Sequence, residues 1–347
     1  MKAFRLLAWQ RPPELMDVEV PEPGPGQVLV RVGGAGACHS DLHLMEWPEG
    51  RVPFQVPFTL GHENAGRVEK LGPGATGFAP GDPVAVYGPW GCGACGACIR
   101  GMENVCENWR RRPFRGGGLG ADGGMAEYLL VPATRYLVPL GGLDPVQAAP
   151  LTDAGLTPYH AVRASAPALR PGGLAVVIGA GGLGQMAVQI LAATTGVRIA
   201  AVDVSEERVR VAKAMGAEHT VVTGPDARAQ VRELNGGRGA DVVFDFVGAD
   251  STLQLAAGLA RPLGRLVLVG AGEGTIPFGF SAVPQECELV VSSWGTLPEL
   301  AEVIALAERG ILHAQVTTFP LERAADAYDA LRRGALTGRA VVVPDGG

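Results

Sequence analysis

The run Gly179-Ala180-Gly181-Gly182-Leu183-Gly184 constrains this chain more than any other stretch. A lone G-x-G-x-x-G is weak evidence. Here it follows an apolar run of strand length, Leu174-Ala175-Val176-Val177-Ile178, and opens a segment, Met186 to Thr194, with helical periodicity. A second strand-like run, Ile199 to Val202, follows and ends on Asp203. Strand, tight turn, helix and strand make a βαβ unit, which needs a parallel sheet to hold it. In such a unit Gly179 permits the turn, Gly181 lets the backbone approach a pyrophosphate, and Gly184 lets helix and strand pack closely. The helix N-terminus at Gly182 and Leu183 offers free N–H groups and partial positive charge to the phosphates. Asp203 stands 24 residues after Gly179, where a carboxylate binds ribose hydroxyls and repels a 2′-phosphate. The expected dinucleotide is therefore NAD rather than NADP. Arg208, five residues on, offsets part of that repulsion. The plain alternative is a glycine-rich turn without a ligand.

The same rhythm continues. Glu206 to Met215 reads as a helix, and Asp241 to Phe246 and Arg265 to Val269 read as further strands. Residues 154–291 form an α/β cofactor domain with a doubly wound parallel sheet. Residues 1–153 differ. Gly24-Pro25-Gly26 turns into Val28-Leu29-Val30-Arg31-Val32, and Asp82-Pro83-Val84-Ala85-Val86 repeats the pattern. Short alternating runs broken by Gly and Pro predict an antiparallel, barrel-like β domain. The segment 292–347 holds one clear amphipathic helix, Leu297 to Arg309. It ends on a strand, Ala340 to Val343, that can return to the first domain. A length of 347 residues with 47% hydrophobic content supports two cores.

A net charge of -6 gives no electrostatic reason to expect nucleic acid or an anionic membrane as a partner. The basic run Arg110, Arg111, Arg112 and Arg115 reads as a solvated loop. No apolar run has the length of a membrane span, and the first ten residues lack the apolar core of a secretion signal. Cytoplasmic residence is the expectation.

Four of the six cysteines fall within about 90–110, as Cys92, Cys95, Cys98 and Cys106, spaced C-x2-C-x2-C-x7-C. Three thiolates two residues apart on a glycine-bearing loop can converge, and a fourth can close a tetrahedron, as a structural zinc requires. An iron–sulfur site or disulfides are the alternatives. Tight clustering fits metal ligation in a reducing compartment better than a disulfide framework. Cys287 reads as a small buried hydrophobe.

Three further residues carry chemistry only together. Cys38 lies in GAGACHSDLH, His62 in LGHENAG and Asp153 in PLTDAGLTPY. Singly, each has a bland reading: a core thiol, a core histidine and a helix N-cap.

With these motifs in this order, the chain resembles the zinc-dependent medium-chain alcohol dehydrogenases over nearly its whole length. The marks are Gly61-His62-Glu63-x-x-Gly66, Cys38-x-Ser40-x-x-His43, the four cysteines and the glycine fingerprint. The strings PLTDAGLTPYH and GPWGCGAC are most similar to bacterial NAD-dependent secondary-alcohol dehydrogenases. The resemblance implies a GroES-like β-barrel catalytic domain beside a Rossmann domain. It implies two zincs per chain, with the catalytic ion on Cys38, His62 and Asp153 and one position open. Many relatives have cysteine where Asp153 stands; zinc accepts either, and Glu63 is expected to swap in or to lie just behind the ligands. Asp41 matches the carboxylate that orients the ligating histidine.

Zinc with an open position is a Lewis acid that stabilises an alkoxide for hydride transfer to nicotinamide C4. The resemblance implies that Ser40 takes the alcohol proton and passes it through the nicotinamide ribose to His43, whose ordinary pKa suits the task. His39 is an alternative relay member at the pyrophosphate. Thr157 and Arg339 match positions at the nicotinamide side and the pyrophosphate. Phe54, Trp90, Leu119 and Trp294 are candidate walls of an apolar pocket, suited to secondary alcohols and ketones. The resemblance also implies a homotetramer (or a homodimer), with Glu288 to Ser292 near a sheet edge that would join cofactor domains. A polyol or threonine-type dehydrogenase is the alternative enzyme. A zinc-free quinone reductase would not need these ligands, and a non-catalytic NAD(H)-binding protein is the reading from a different class.

Overall fold

The computed structural model describes residues 1–344, so the last three positions of the segment 292–347 lie outside the described residues. The chain divides into two compact units, Met1–Leu156 with Gly295–Gly347, and Thr157–Trp294.

The first unit is built on a seven-stranded sheet. Its main path runs Leu137–Pro139, Pro83–Val86, Glu63–Leu71, Val28–Ala37, Arg339–Val343 and Val316–Pro320, with Tyr128–Val131 also paired to Val28–Ala37. Pairing is antiparallel throughout except between Val316–Pro320 and Arg339–Val343. The long strand Val28–Ala37 buries Val28, Leu29, Val30 and Val32 while Arg31 points outward. Successive residues point to opposite faces, so the consecutive burial of Val28, Leu29 and Val30 means that both faces are covered there. The strand runs five residues beyond the expected segment because Gly33, Gly34 and Gly36 permit close neighbours. A Cβ on Gly33 would meet Pro145 Cβ at 2.7 Å. A three-stranded sheet, Glu14–Asp17, Lys2–Leu6 and Phe58–Thr59, and a two-stranded one, Gly116–Gly117 with Gly120–Ala121, accompany it.

Register in this sheet positions the chemistry. Gly36 pairs with Glu63, and Ala37 pairs with Ala340. Three neighbouring strands therefore bring Cys38, His62 with Glu63, and Arg339 to one end of the sheet. The final strand returns to the first domain's sheet as its sequence allows. A second helix, Ala324–Arg332, accompanies it and was not anticipated. It buries Ala324, Ala327, Tyr328, Ala330 and Leu331 at helical spacing. Its alanine-rich apolar stripe is weak in hydrophobic mass, which hid it in the sequence.

The second unit is a six-stranded parallel sheet in the order His219–Val222, Arg198–Asp203, Leu174–Ile178, Ala240–Asp245, Ala260–Leu268, Glu288–Val291. Leu174–Ile178 is buried at every residue, as expected of a central parallel strand covered on both faces. Chain order reverses about it, because Arg198–Asp203 lies on one side and Ala240–Asp245 on the other. A reversal point of this kind opens a crevice at the strand C-termini. Val176, Ile178, Val202, Val243 and Leu266 form the core between the strands and helices.

Two expectations need correction. The Arg110–Arg115 run is not simply solvated. Arg112 lies 4.5 Å over the Phe114 ring and donates to Trp90 O, and Arg115 donates to Asn104 O at 2.9 Å. Loop aromatics supply flat faces on which guanidinium groups stack. Cys287 is half-buried rather than buried, packed against the edge of the second unit's core.

Candidate active site

Cys38 ends the long strand and caps the helix His39–Glu46, while His62 immediately precedes the strand Glu63–Leu71. Asp153 follows the turn Ala149–Thr152, which packs on that second strand. One ligand atom from each of Cys38, His62, Glu63 and Asp153 lies within 4.8 Å of all the others. Cys38 Sγ is 3.8 Å from Asp153 Oδ2, and His62 Nε2 is 3.6 Å from the same oxygen. Zinc bond lengths put the edge of a ligand tetrahedron at about 3.4–3.8 Å. The donor set of sulfur, nitrogen and oxygen and its spacing both fit zinc. The Asp153 carboxylate turns toward Cys38 and His62.

The electrostatics fit a cation. Burial pushes the Cys38 thiol up, but Arg339 and then His62 outweigh it and hold the thiol below its ordinary value. Burial drives His62 down, yet Asp41, Asp153 and Cys38 together carry it well above the usual histidine range. Burial raises the Glu63 carboxyl well above the usual range, with Arg339 opposing. Arg339, itself buried, donates to Glu63 Oε1, and Glu63 Oε2 is a buried acceptor with no hydrogen-bond donor. The cluster is thus rich in anionic donors whose compensation is a proton on His62 and the Arg339 guanidinium. A divalent ion held by these residues would take the place of that proton.

Asp41 sets the imidazole. Its Oδ1 lies 2.9 Å from His62 Nδ1, and its Oδ2 accepts from Cys38 N at 3.1 Å. With Nδ1 committed to the carboxylate, Nε2 is the nitrogen that faces the cluster and would ligate a metal once its proton is displaced. Tyr328, which the sequence did not single out, also donates to Asp41 Oδ2, at 2.9 Å. Only its place on an alanine-rich helix hinted at burial. Ser40 Oγ lies 3.6 Å from Cys38 Sγ. His43 is half-buried on the same short helix, three residues from Ser40, and His39 is exposed at its start.

Three of the candidate walls gather on the loop 116–120, which meets the His62 backbone. A Cβ on Gly118 would come within 2.8 Å of His62 N, so the loop 116–120 lies against the ligand's backbone. A Cβ on Gly117 would meet Trp90 Cη2 at 3.1 Å, and one on Gly120 would meet Phe54 Cγ at 2.9 Å. Trp90 also packs edge-on against Phe114 at 6.4 Å. Leu119 lies at the tip of this loop, half-buried. Trp294 belongs to the second unit, buried, with φ of 53°.

The four-cysteine loop brings its thiols within 4.8 Å of one another, with Cys92 Sγ 3.9 Å from Cys98 Sγ. All four are free, and one zinc with four thiolates needs edges of about 3.8 Å. Backbone N–H groups already donate to the sulfurs: Cys92 N to Cys106, Cys95 N to Cys92, and Cys98 N to Cys95. The Asn108 amide, then the Ala94 and Cys95 N–H groups, bring the Cys92 thiol down to about 6. Burial lifts Cys98 to about 12.

In the second unit Gly179 has φ of 88°, and Gly181 caps the helix Gly182–Thr194 with open space where a Cβ would stand. A Cβ on Gly184 would overlap the Gly179 carbonyl. These are the demands of a phosphate-binding turn. Asp203 ends its strand and accepts from Ala180 N at 2.7 Å and Ser205 N at 2.9 Å, so it also braces the turn. Arg208 is half-buried one helical turn further on, and Thr157 is buried at the start of the unit.

The chain is similar to known proteins along nearly its whole length. Residues 24–142 match the alcohol dehydrogenase GroES-like domain, and residues 182–309 match the zinc-binding dehydrogenase domain. An NAD-dependent alcohol dehydrogenase of Sulfurisphaera tokodaii is 38% identical, covering 99% of this chain and 100% of that protein. A D-arabinose 1-dehydrogenase (NADP(+)) of Saccharolobus solfataricus is 35% identical, with 99% and 97% covered. The crystal structure of the alcohol dehydrogenase from Aeropyrum pernix superposes with a TM-score of 0.91 at 37% identity, covering 99% of this chain and 100% of that one. These three are archaeal, whereas the local strings pointed to bacteria; bacterial alcohol dehydrogenases are among the relatives too. Fold, donor sets and kinship agree: the chain belongs to the zinc-dependent medium-chain alcohol dehydrogenases.

Proposed function

We propose that this chain catalyses reversible hydride transfer between a secondary alcohol with apolar substituents and NAD. One zinc sits on Cys38, His62 and Asp153, and a second, structural zinc sits on the four cysteines. The observation that carries the reading is the tetrahedral edge spacing of Cys38 Sγ, His62 Nε2 and Asp153 Oδ2. Zinc, when bound, supplies Lewis acidity that lowers the pKa of a hydroxyl group.

This chain's residues do the rest. Asp41 holds His62, and Arg339 holds Glu63 close behind the ligands as a reserve carboxylate. Ser40, beside Cys38, takes the substrate proton, and His43 delivers it to water. Gly179 to Gly184 hold the pyrophosphate, and Thr157 borders the nicotinamide. Asp203 accepts the ribose hydroxyls, and Arg208 lies beside it. Phe54, Trp90 and Leu119 wall the pocket and favour alkyl and aryl groups over polyols. Chain copies join through the edge strand Glu288–Val291, where Val291 is 78% exposed, and the assembly is a homotetramer. Among the described residues no helix is long and apolar enough to cross a membrane. Six free thiols accord with a place in the cytoplasm.

Cys38→Ser tests the site. It should abolish turnover and remove one zinc per chain while leaving NADH affinity within about twofold. Equal loss of turnover and NADH binding would refute this division of labour. A panel of 2-butanol, a phenyl ketone, sorbitol, threonine and D-arabinose tests the substrate class.

A further inference from the structure

Tyr328 lies outside the ligand set yet touches what supports it. Asp41 is fully buried and has one residue on each side of its carboxylate: His62 Nδ1 at Oδ1, 2.9 Å, and Tyr328 Oη at Oδ2, 2.9 Å. Cys38 N also reaches Oδ2, at 3.1 Å. The torsion of an aspartate carboxylate is broad and twofold, so a single backbone bond leaves it room to twist. Any twist carries the imidazole with it. The phenol closes that freedom. Its one proton goes to the carboxylate, since Met125 Sδ, 3.0 Å away, is the weaker acceptor.

The tyrosine is itself anchored. It is 2% exposed, and its ring stacks on Phe4 with centroids 6.1 Å apart and planes at 18°. A buried phenol with a single strong acceptor has little alternative geometry. Phenylalanine would fill the same space against Phe4, so packing does not require the hydroxyl.

We propose that Tyr328 is a positioning residue for His62: its hydroxyl locks the Asp41 carboxylate, and through it the imidazole, and so sets how firmly the catalytic metal is kept. The inference rests on His62 being a ligand, as read above. The helix Ala324–Arg332 thereby contributes to the metal site although none of its residues is a ligand.

The test is zinc release from the holoenzyme to a chelator such as dipicolinate, with zinc per chain followed over time. His62→Ala, run in parallel, marks the phase that belongs to the catalytic ion. Tyr328→Phe should lose that ion about tenfold faster, the lower end of what removing a direct partner of a ligating histidine costs. The four-cysteine zinc should leave at its original rate. Phe4→Leu, which loosens the same ring but keeps the hydroxyl, should release zinc as the parent does. An unchanged rate in Tyr328→Phe overturns the proposal. So does release about tenfold faster than the parent in Phe4→Leu, a result readable against the parent alone even if Tyr328→Phe fails to fold. If His62→Ala keeps both zincs, the ligand reading fails instead. In cobalt-loaded enzyme the visible bands of the three-ligand site should shift in Tyr328→Phe and stay put in Phe4→Leu.

Discussion

Replacing Arg339 by methionine isolates the buried charge behind the ligands. Arg339 is 4% exposed and Glu63 fully buried, and the guanidinium donates to Glu63 Oε1. Glu63 Oε2 has no hydrogen-bond donor, and no room exists for the side chain to swing out toward Gly36, where a Cβ would already overlap it. Breaking one side of a buried ion pair costs about 3–5 kcal/mol. For a unit of this size each kcal/mol moves Tm by about 2–4 °C, so Arg339→Met should lower Tm by roughly 10 °C. The double variant Glu63→Met with Arg339→Met, apolar on both sides, should recover most of that loss.

The deficit should also depend on pH. Burial already raises the Glu63 carboxyl, and Arg339 opposes the rise. Without the guanidinium the folded-state value climbs further above the unfolded one. The native state then holds a proton that the unfolded chain gives up, so stability falls as pH rises between the two values. The deficit should shrink toward the ordinary glutamate value near pH 4.3 and be complete only above the raised one. The assay is thermal unfolding from pH 5 to 8 on preparations of matched zinc content. A fall under 2 °C in Arg339→Met, or a double variant no better than the single, would refute the argument.

Two more expectations follow from the outlying sites. Cys95→Ser removes a thiolate that accepts from Cys98 N. It should cost one zinc per chain and several degrees of Tm while leaving kcat in surviving enzyme within about twofold, since structural zinc contributes folding energy rather than chemistry. Metal analysis with thermal unfolding reads this, and a two-zinc variant of parental Tm would count against the site. Asp203→Asn keeps the shape of the turn's brace but removes the charge facing a 2′-phosphate. The preference for NAD over NADP, as the ratio of kcat/KM values, should fall at least about tenfold, or about 1.4 kcal/mol; an unaltered ratio would exclude that charge as the discriminator.

Much of the architecture was legible because it is periodic or rigidly spaced. The central strand Leu174–Ile178 and the helix after it announce themselves through burial and glycine chemistry, and the cysteine spacing is local enough for short loops to close it. What stayed hidden depends on weak or distant signals. The helix Ala324–Arg332 has an alanine stripe too slight to stand out. The Arg110–Arg115 run looks hydrophilic until Trp109 and Phe114 are seen beneath its guanidinium groups.

By itself the amino-acid sequence determined the two domain types, the dinucleotide turn and the four-thiol loop, because each is written within a few turns or strands of chain. Tertiary structure alone decided that the Asp153 carboxylate faces Cys38 and His62. It also paired Arg339 with Glu63 and Tyr328 with Asp41, 276 and 287 residues apart in sequence. Those contacts follow from strand register and from the return of the last segment to the first sheet, and no local pattern encodes which side chains a register will set face to face.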